Sequence, residues 1–290
     1  MAGPEARPKL ACRRVSFLRV FGLWLQEKEL VGRPDAGRVA EDLTTVAGRI
    51  AEGAAIEEGS RVLDLGSGTG AVAFAAADRG GRVLATDVST EALAKGREIS
   101  RSIQAPVKHA AADARSLPFA DDSFDVSVHR SVLVYMDARE RAVAEELRVL
   151  RPGGTVSCSE SLGTALDLET FDPGIERVWR GGLREILMNT PDAFTLSSAQ
   201  LLALYEENGF TEVSAAAVRH AVILDSRDAV ARSFAVAPPA GLSARERWQR
   251  AGIAGGLVDE FLARLVMEAE RDQPATLTVS EGFLTARVPA

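Results

Sequence analysis

Residues 61–74 read RVLDLGSGTGAVAF. An apolar run containing one acidic residue, Asp64, gives way at once to glycines at 66, 68 and 70. A buried strand therefore turns tightly there and leaves bare main chain facing whatever lies beyond it. The Ala-rich run that follows is a helix stopped by Gly80 and Gly81. Strand, glycine turn and helix in that order begin a βαβ unit and raise the question of which ligand the open backbone holds.

Outward from this stretch, strands and helices keep alternating. Strands are expected at 61–65, 82–86, 107–111, 124–129 and 153–159, separated by helices near 70–79, 89–102 and 138–150. Ser89 is the cap of one helix, Asp137 with Glu140 resembles a capping box for another, and Val143, Leu147 and Leu150 form its buried stripe. Crossover helices of this length require a parallel sheet covered on both faces. Ser197 and Gln200 start a further helix that ends at Asn208–Phe210, and TEVSAAAVRHAVIL (211–224) reads as a sixth strand. Residues 225–275 read as helical, and ATLTVSEGFLTARV (275–288) is the last strand. The expected fold class is α/β, a doubly wound, mostly parallel seven-stranded Rossmann-like sheet with N-terminal helices and a helical insertion before the last strand.

The flanks divide the chain further. Residues 1–11 read as a loose tail, and Phe17, Leu18, Phe21, Trp24 and Leu25 make an amphipathic helix. That helix packs on the main domain, meets a second copy in a homodimer, or serves as a lid. The organisation expected is 1–35 for tail and helix, 36–160 for the binding core, 161–195 for a substrate cover carrying Phe171, Trp179, Met188 and Phe194, and 196–290 for the remainder of the sheet with its insertion.

Composition narrows the function. A chain of 290 residues with 46% hydrophobic content buries a full core, and 34 Lys and Arg against 41 Asp and Glu, net −7, leave no footprint for nucleic acid. Cys12 and Cys158 fall in no metal-binding or disulfide pattern, which fits a reducing, cytoplasmic setting, and Cys158 reads as a small buried hydrophobe. Arg13 and Arg14 precede an apolar run, Val20 to Leu25, that is shorter than the ~7–15 residues of an export signal. No later segment approaches the ~18 apolar residues of a membrane span.

Two ligand classes use such a glycine loop. Gly66, Gly68 and Ala71 satisfy the dinucleotide pattern, with Asp87 placed for ribose hydroxyls. Asp64 argues the other way, because a carboxylate two residues before the first glycine repels a pyrophosphate and attracts a cation.

VLDLGSGTG resembles the first motif of the class I S-adenosylmethionine-dependent methyltransferases. VLATDVS, AADARSLPFADDSFDVSV and ELRVLRPGGTVSCSE resemble the segments that follow it in that family, so the likeness runs over residues 58–160 in order. It implies S-adenosylmethionine as cofactor, held by Gly66, Ser67, Gly68 and Gly70, with Asp64 near its ammonium. Asp87, with Val88 beside it, would accept the ribose hydroxyls, while Asp113 and the Ala114 backbone would meet the adenine. The long insertion before the last strand departs from the family's short hairpin.

A sulfonium already activates its methyl group, so such an enzyme chiefly holds an acceptor in line and excludes water. A base adds ~10²- to 10⁴-fold where the acceptor carries a proton. The catalytic candidates at the carboxyl ends of the fourth and fifth strands are His129, Glu160 and Tyr135, with structural hydrogen bonds as the alternative for each. Arg130 is a candidate for a cofactor or substrate carboxylate, or for an internal ion pair. No set of oxygen ligands at the mouth suggests a metal. The function expected is methyl transfer to oxygen, nitrogen or carbon of a small, natural-product-like acceptor of secondary metabolism. The alternatives are cofactor binding without methyl transfer and a nicotinamide oxidoreductase, which lacks its Tyr-x-x-x-Lys pair because Tyr135 is followed by Arg139.

Overall fold

A computed structural model describes residues 16–30, 36–189, 196–235, 242–271 and 273–290. The expected tail 1–11, Cys12, the Arg13–Arg14 pair and Phe194 lie outside the described residues. Seven strands form one sheet: β1 Arg61–Leu65, β2 Arg82–Asp87, β3 Lys108–Ala111, β4 Phe124–Arg130, β5 Leu150–Glu169, β6 Thr211–Leu224 and β7 Ala275–Arg287. Their order is β3-β2-β1-β4-β5-β7-β6. The first five are parallel, and β7 runs antiparallel between β5 and β6. The order reverses at β1, which brings the glycine loop to the switch point where open α/β sheets bind ligands.

Helices cover both faces as the crossovers require. On one face lie α1 Phe17–Trp24, α2 Ala36–Gly53, α3 Ala71–Asp78 and α4 Thr90–Ser102. Their apolar sides close over Val62, Val83 and Val126 of the sheet or over one another. On the other lie α5 Arg139–Val149 and α8 Ser198–Glu207, packed on Leu63, Val156 and Leu284. Phe21 of α1 meets Phe74 of α3 with ring centroids 5.1 Å apart. Asp78 accepts the Phe17 and Leu18 amides at 2.6 and 3.0 Å. The aromatic side of α1 is thus covered within the chain.

Two local expectations need correction. The fifth strand does not stop near 159: it continues to Glu169, paired with β7 up to Leu162 and again from Asp167, so the cover begins only after it. A register shift between Leu162 and Asp167 breaks the period-two pattern and hides the continuation from the sequence. The Asp137–Glu140 box does not form, because α5 starts at Arg139 behind Ala138, whose φ is +52°, with no side-chain cap. Ser89 does cap α4, and Ser197 with Gln200 forms a full capping box on α8.

Beyond the carboxyl edge, the extended parts of β5, β7 and β6 carry a helical cap. It consists of α6 Pro173–Val178, α7 Arg184–Asn189, α9 Arg227–Phe234, α10 Ala244–Arg250 and α11 Gly255–Ala269. An aromatic cluster of Trp179, Phe234, Trp248 and Phe261 is its centre, with Trp179 stacked on Phe261 at 6.2 Å. The Trp248 indole N–H donates to the Leu183 carbonyl at 2.8 Å, which satisfies the polar end of a buried ring.

Candidate active site at the carboxyl edge of the sheet

The glycine loop is shaped by two constraints. Gly66 has φ +57°, and a Cβ there would lie 2.6 Å from Cγ2 of Val132. Gly68 has φ +53° and nothing within 4 Å of where its Cβ would stand, so its backbone faces open space. Asp87, at the end of β2, fixes the loop from the side: Oδ2 accepts the Gly68 amide at 2.9 Å and Oδ1 accepts the Ser89 amide at 2.8 Å. Each oxygen retains a lone pair for a further donor. Val88 beside it is 67% exposed, an apolar surface left bare at the mouth. α3 opens at Gly70 without a side-chain cap, leaving first-turn N–H groups open toward the loop.

Asp64 lies beneath this loop. It is 1% exposed, and neither carboxylate oxygen has a hydrogen-bond partner; the buried Ser67 hydroxyl has none either. Burial pushes its pKa up to about 8, with smaller opposing effects from His129 and from the Ala73 amide, which approaches without completing a hydrogen bond. The carboxyl therefore keeps its proton near neutral pH, and a cation brought into the loop would favour its ionised form.

The other candidates are placed unevenly. Asp113 follows β3, but its two oxygens already take the Arg115 guanidinium, at 3.0 Å to Nε and 2.8 Å to Nη2. That bonding holds its pKa below the usual carboxylate range. Ala114 is buried in the core behind it. Arg130 closes β4 with its Nε 3.6 Å from Glu281. Tyr135 ends a short turn, Leu133–Tyr135, and burial, with Glu160 nearby, raises its phenol, so it is a protonated hydrogen-bonding group at neutral pH.

His129 and Glu160 do not stand open at the mouth; both are fully buried. The imidazole Nδ1 lies 3.1 Å from Glu160 Oε1, and Nε2 lies 2.9 Å from the Tyr205 hydroxyl. Tyr205 donates to Glu146 Oε2 at 3.0 Å, and Ser127 donates to the other oxygen of Glu146. Glu160 also accepts the amides of Val132, Leu133 and Val134, at 2.9, 3.1 and 3.1 Å. Burial opposes charge on His129, yet Cys158 and the carboxylates of Glu160 and Glu146 raise the ring well above its ordinary value. Because burial also raises the Cys158 thiol, the carboxylates carry that effect. The network is a hook on residues 132–134, of which Val132 fills the space beside Gly66 that a Cβ would need.

A cavity of about 630 Å³ opens at the same edge, between the β5–β7–β6 extension and the helical cap. Arg130 and Ser161 stand at its inner end, and Leu162, Phe234 and Leu277 are among its apolar walls. His220 and Glu281, absent from the sequence expectations, meet there with Nε2 3.3 Å from Oε2. Each sits mid-strand in β6 or β7, so only the pairing of those strands makes them neighbours. A second cavity, of about 960 Å³, lies at the amino ends of the strands beside Arg61, Arg82 and Lys108, away from the glycine loop.

Residues 63–158 match the family described as a methyltransferase domain. Residues 63–158 thus carry a methyltransferase domain of the class I S-adenosylmethionine-dependent type. Methyltransferase GfsG of Streptomyces halstedii is 33% identical over 156 residues, covering 52% of this chain and 54% of that protein. The chain spans about half the length of the curated relatives it matches. Among solved structures, the YcgJ protein of Bacillus subtilis shares the fold at TM-score 0.57 and 18% identity, covering 85% of this chain and 99% of its own. The [4+2]-cyclase SpnF superimposes at TM-score 0.50 and 25% identity, covering 90% of this chain and 84% of its own. Among the described residues no helix is long and apolar enough to cross a membrane.

Proposed function

We propose that this chain transfers the methyl group of S-adenosylmethionine to a small, natural-product-like acceptor. The observation that carries the reading is Asp64, a buried carboxyl without a partner beside the bare backbone of Gly68 and the oriented carboxylate of Asp87. A cofactor with an ammonium and a ribose suits that set; a pyrophosphate does not. Asp64 and Ser67 would hold the amino acid end, Asp87 the ribose hydroxyls, and Val88 the adenine face. The cofactor supplies an activated methyl group. The chain's own task is then to orient the acceptor, keep water out and accommodate any released proton.

Asp113 serves the adenine end only by sharing its remaining lone pairs, since Arg115 already holds both oxygens. His129 and Glu160 act through the loop they fix and not on the acceptor, because burial and a full set of partners leave neither a route to it. Tyr135 remains the candidate from that loop for contact with the acceptor.

Isothermal titration tests the cofactor, with S-adenosylhomocysteine expected to bind and NAD not; the opposite result removes the reading. Release of S-adenosylhomocysteine in the presence of an acceptor panel tests the transfer. A second reading, cofactor binding that supports a non-transferring reaction, is favoured by the likeness to a [4+2]-cyclase. It predicts tight cofactor binding and conversion of the substrate without release of S-adenosylhomocysteine.

A further inference from the structure

We propose that the cavity beneath the helical cap takes an acceptor with an apolar body and one anionic group, held at Arg130 and His220. The inference deepens the methyltransferase reading, and rests on it only in calling the ligand an acceptor.

Its lining is mostly aliphatic and aromatic, and its volume, about 630 Å³, lies within the ~300–1,000 Å³ range of small-molecule sites. Arg130 reaches it from the end of β4, and Glu281 is the one carboxylate among the described residues of its lining. Glu281 is 8% exposed and lies between Arg130 and His220 at 3.6 and 3.3 Å, within ion-pair distance of both. Neither contact completes a hydrogen bond, so Arg130 Nε and His220 Nε2 remain buried without acceptors. The guanidinium Nε of Arg130, a donor whose hydrogen bond is not completed, with the imidazole of His220 near it at the wall of an apolar cavity, suits an acidic oxygen, because a buried donor left unpaired is costly and a charged acceptor satisfies it best. A cationic ligand would have to compete with Arg130 for Glu281. Arg130 also ends β4, one residue before the turn that leads to Val132 and Gly66, so the anionic end would lie on the cofactor side of the cavity.

The test uses the whole chain and three probes of one shape: 1-naphthoate, 1-naphthylmethanol and 1-naphthylmethylammonium. Titration should show naphthoate bound about tenfold or more tightly than the ammonium, the scale of one charge-assisted hydrogen bond. Arg130→Met should abolish that preference while naphthylmethanol still binds. Val222→Trp should block all three, and Met188→Trp does so from the helical side if the first change disturbs the sheet. Equal or tighter binding of the ammonium, or naphthoate binding undiminished in both tryptophan variants, overturns the proposal. S-adenosylhomocysteine is titrated alongside: if it binds and no probe does, the cavity inference fails and the methyltransferase reading stands. If naphthoate binds and S-adenosylhomocysteine does not, the failure is that of the reading.

Discussion

Asp64 is the residue on which the cofactor reading turns, and its environment makes the reading measurable. The carboxyl holds its proton up to about pH 8 in the free protein, so a bound ammonium should drive that proton off. Titrating S-adenosylhomocysteine near neutral pH in two buffers of different ionisation enthalpy should therefore show proton release, and Asp64→Asn should lose both the release and about 10- to 100-fold in affinity. Asp87→Ala removes the acceptor of the Gly68 and Ser89 amides as well as any ribose contact; a loss of about 1.5–3 kcal/mol in cofactor binding is expected by calorimetry. The position of both aspartates at the glycine loop is legible in the sequence because it depends only on the chain within one βαβ unit. For His129 and Glu160 the sequence leaves catalytic and structural roles open, since their burial depends on Tyr205, which comes from a helix that lies far along the chain.

At the scale of the element, the turn after β4 is the part most dependent on a single side chain. Glu160 faces only donors, three backbone amides and the His129 ring, so it must be an acceptor at both oxygens. Glu160→Gln places an amide NH₂ against one of them, and denaturant unfolding should show a loss of about 1–3 kcal/mol, the cost of a buried unpaired polar group. Because Val132 of the hooked turn lies beside Gly66, cofactor affinity should fall with it, whereas a purely catalytic role would leave affinity unchanged. The alternation of strand and helix up to residue 149 could be read from periodicity alone. The continuation of β5 could not, because its pattern lapses at the register shift and only pairing with β7 carries it on.

For the whole molecule, the buried acids and the buried imidazole act in one direction. Asp64 and Glu146 are raised by burial, so the folded state holds protons that the unfolded chain gives up, and stability falls as pH rises above the ordinary carboxyl range. His129 is raised too; its contribution is complete below its unfolded value, ~6.5, and is lost as pH climbs through the folded one. On the acid side, Arg61 and Arg151 hold Asp125 well below the usual carboxylate range, a contribution present above the unfolded value and lost as pH falls through the folded one. The thermal midpoint of the free protein should peak at about pH 5–6 and decline toward pH 9. S-adenosylhomocysteine should flatten the part of that decline due to Asp64; a midpoint that rises from pH 6 to pH 9 would contradict these assignments. The doubly wound sheet and its helical insertion were apparent from sequence, while the cavity was not, because its walls come from strands and helices far apart along the chain.

The placement of β7 also has a kinetic side. It is inserted between two strands that both precede it in the sequence, so β5 and β6 cannot be joined until Ala275–Arg287 has been synthesised. A growing polypeptide on the ribosome therefore presents two unpaired strand edges late in its production, a state prone to aggregation that chaperones would have to shield.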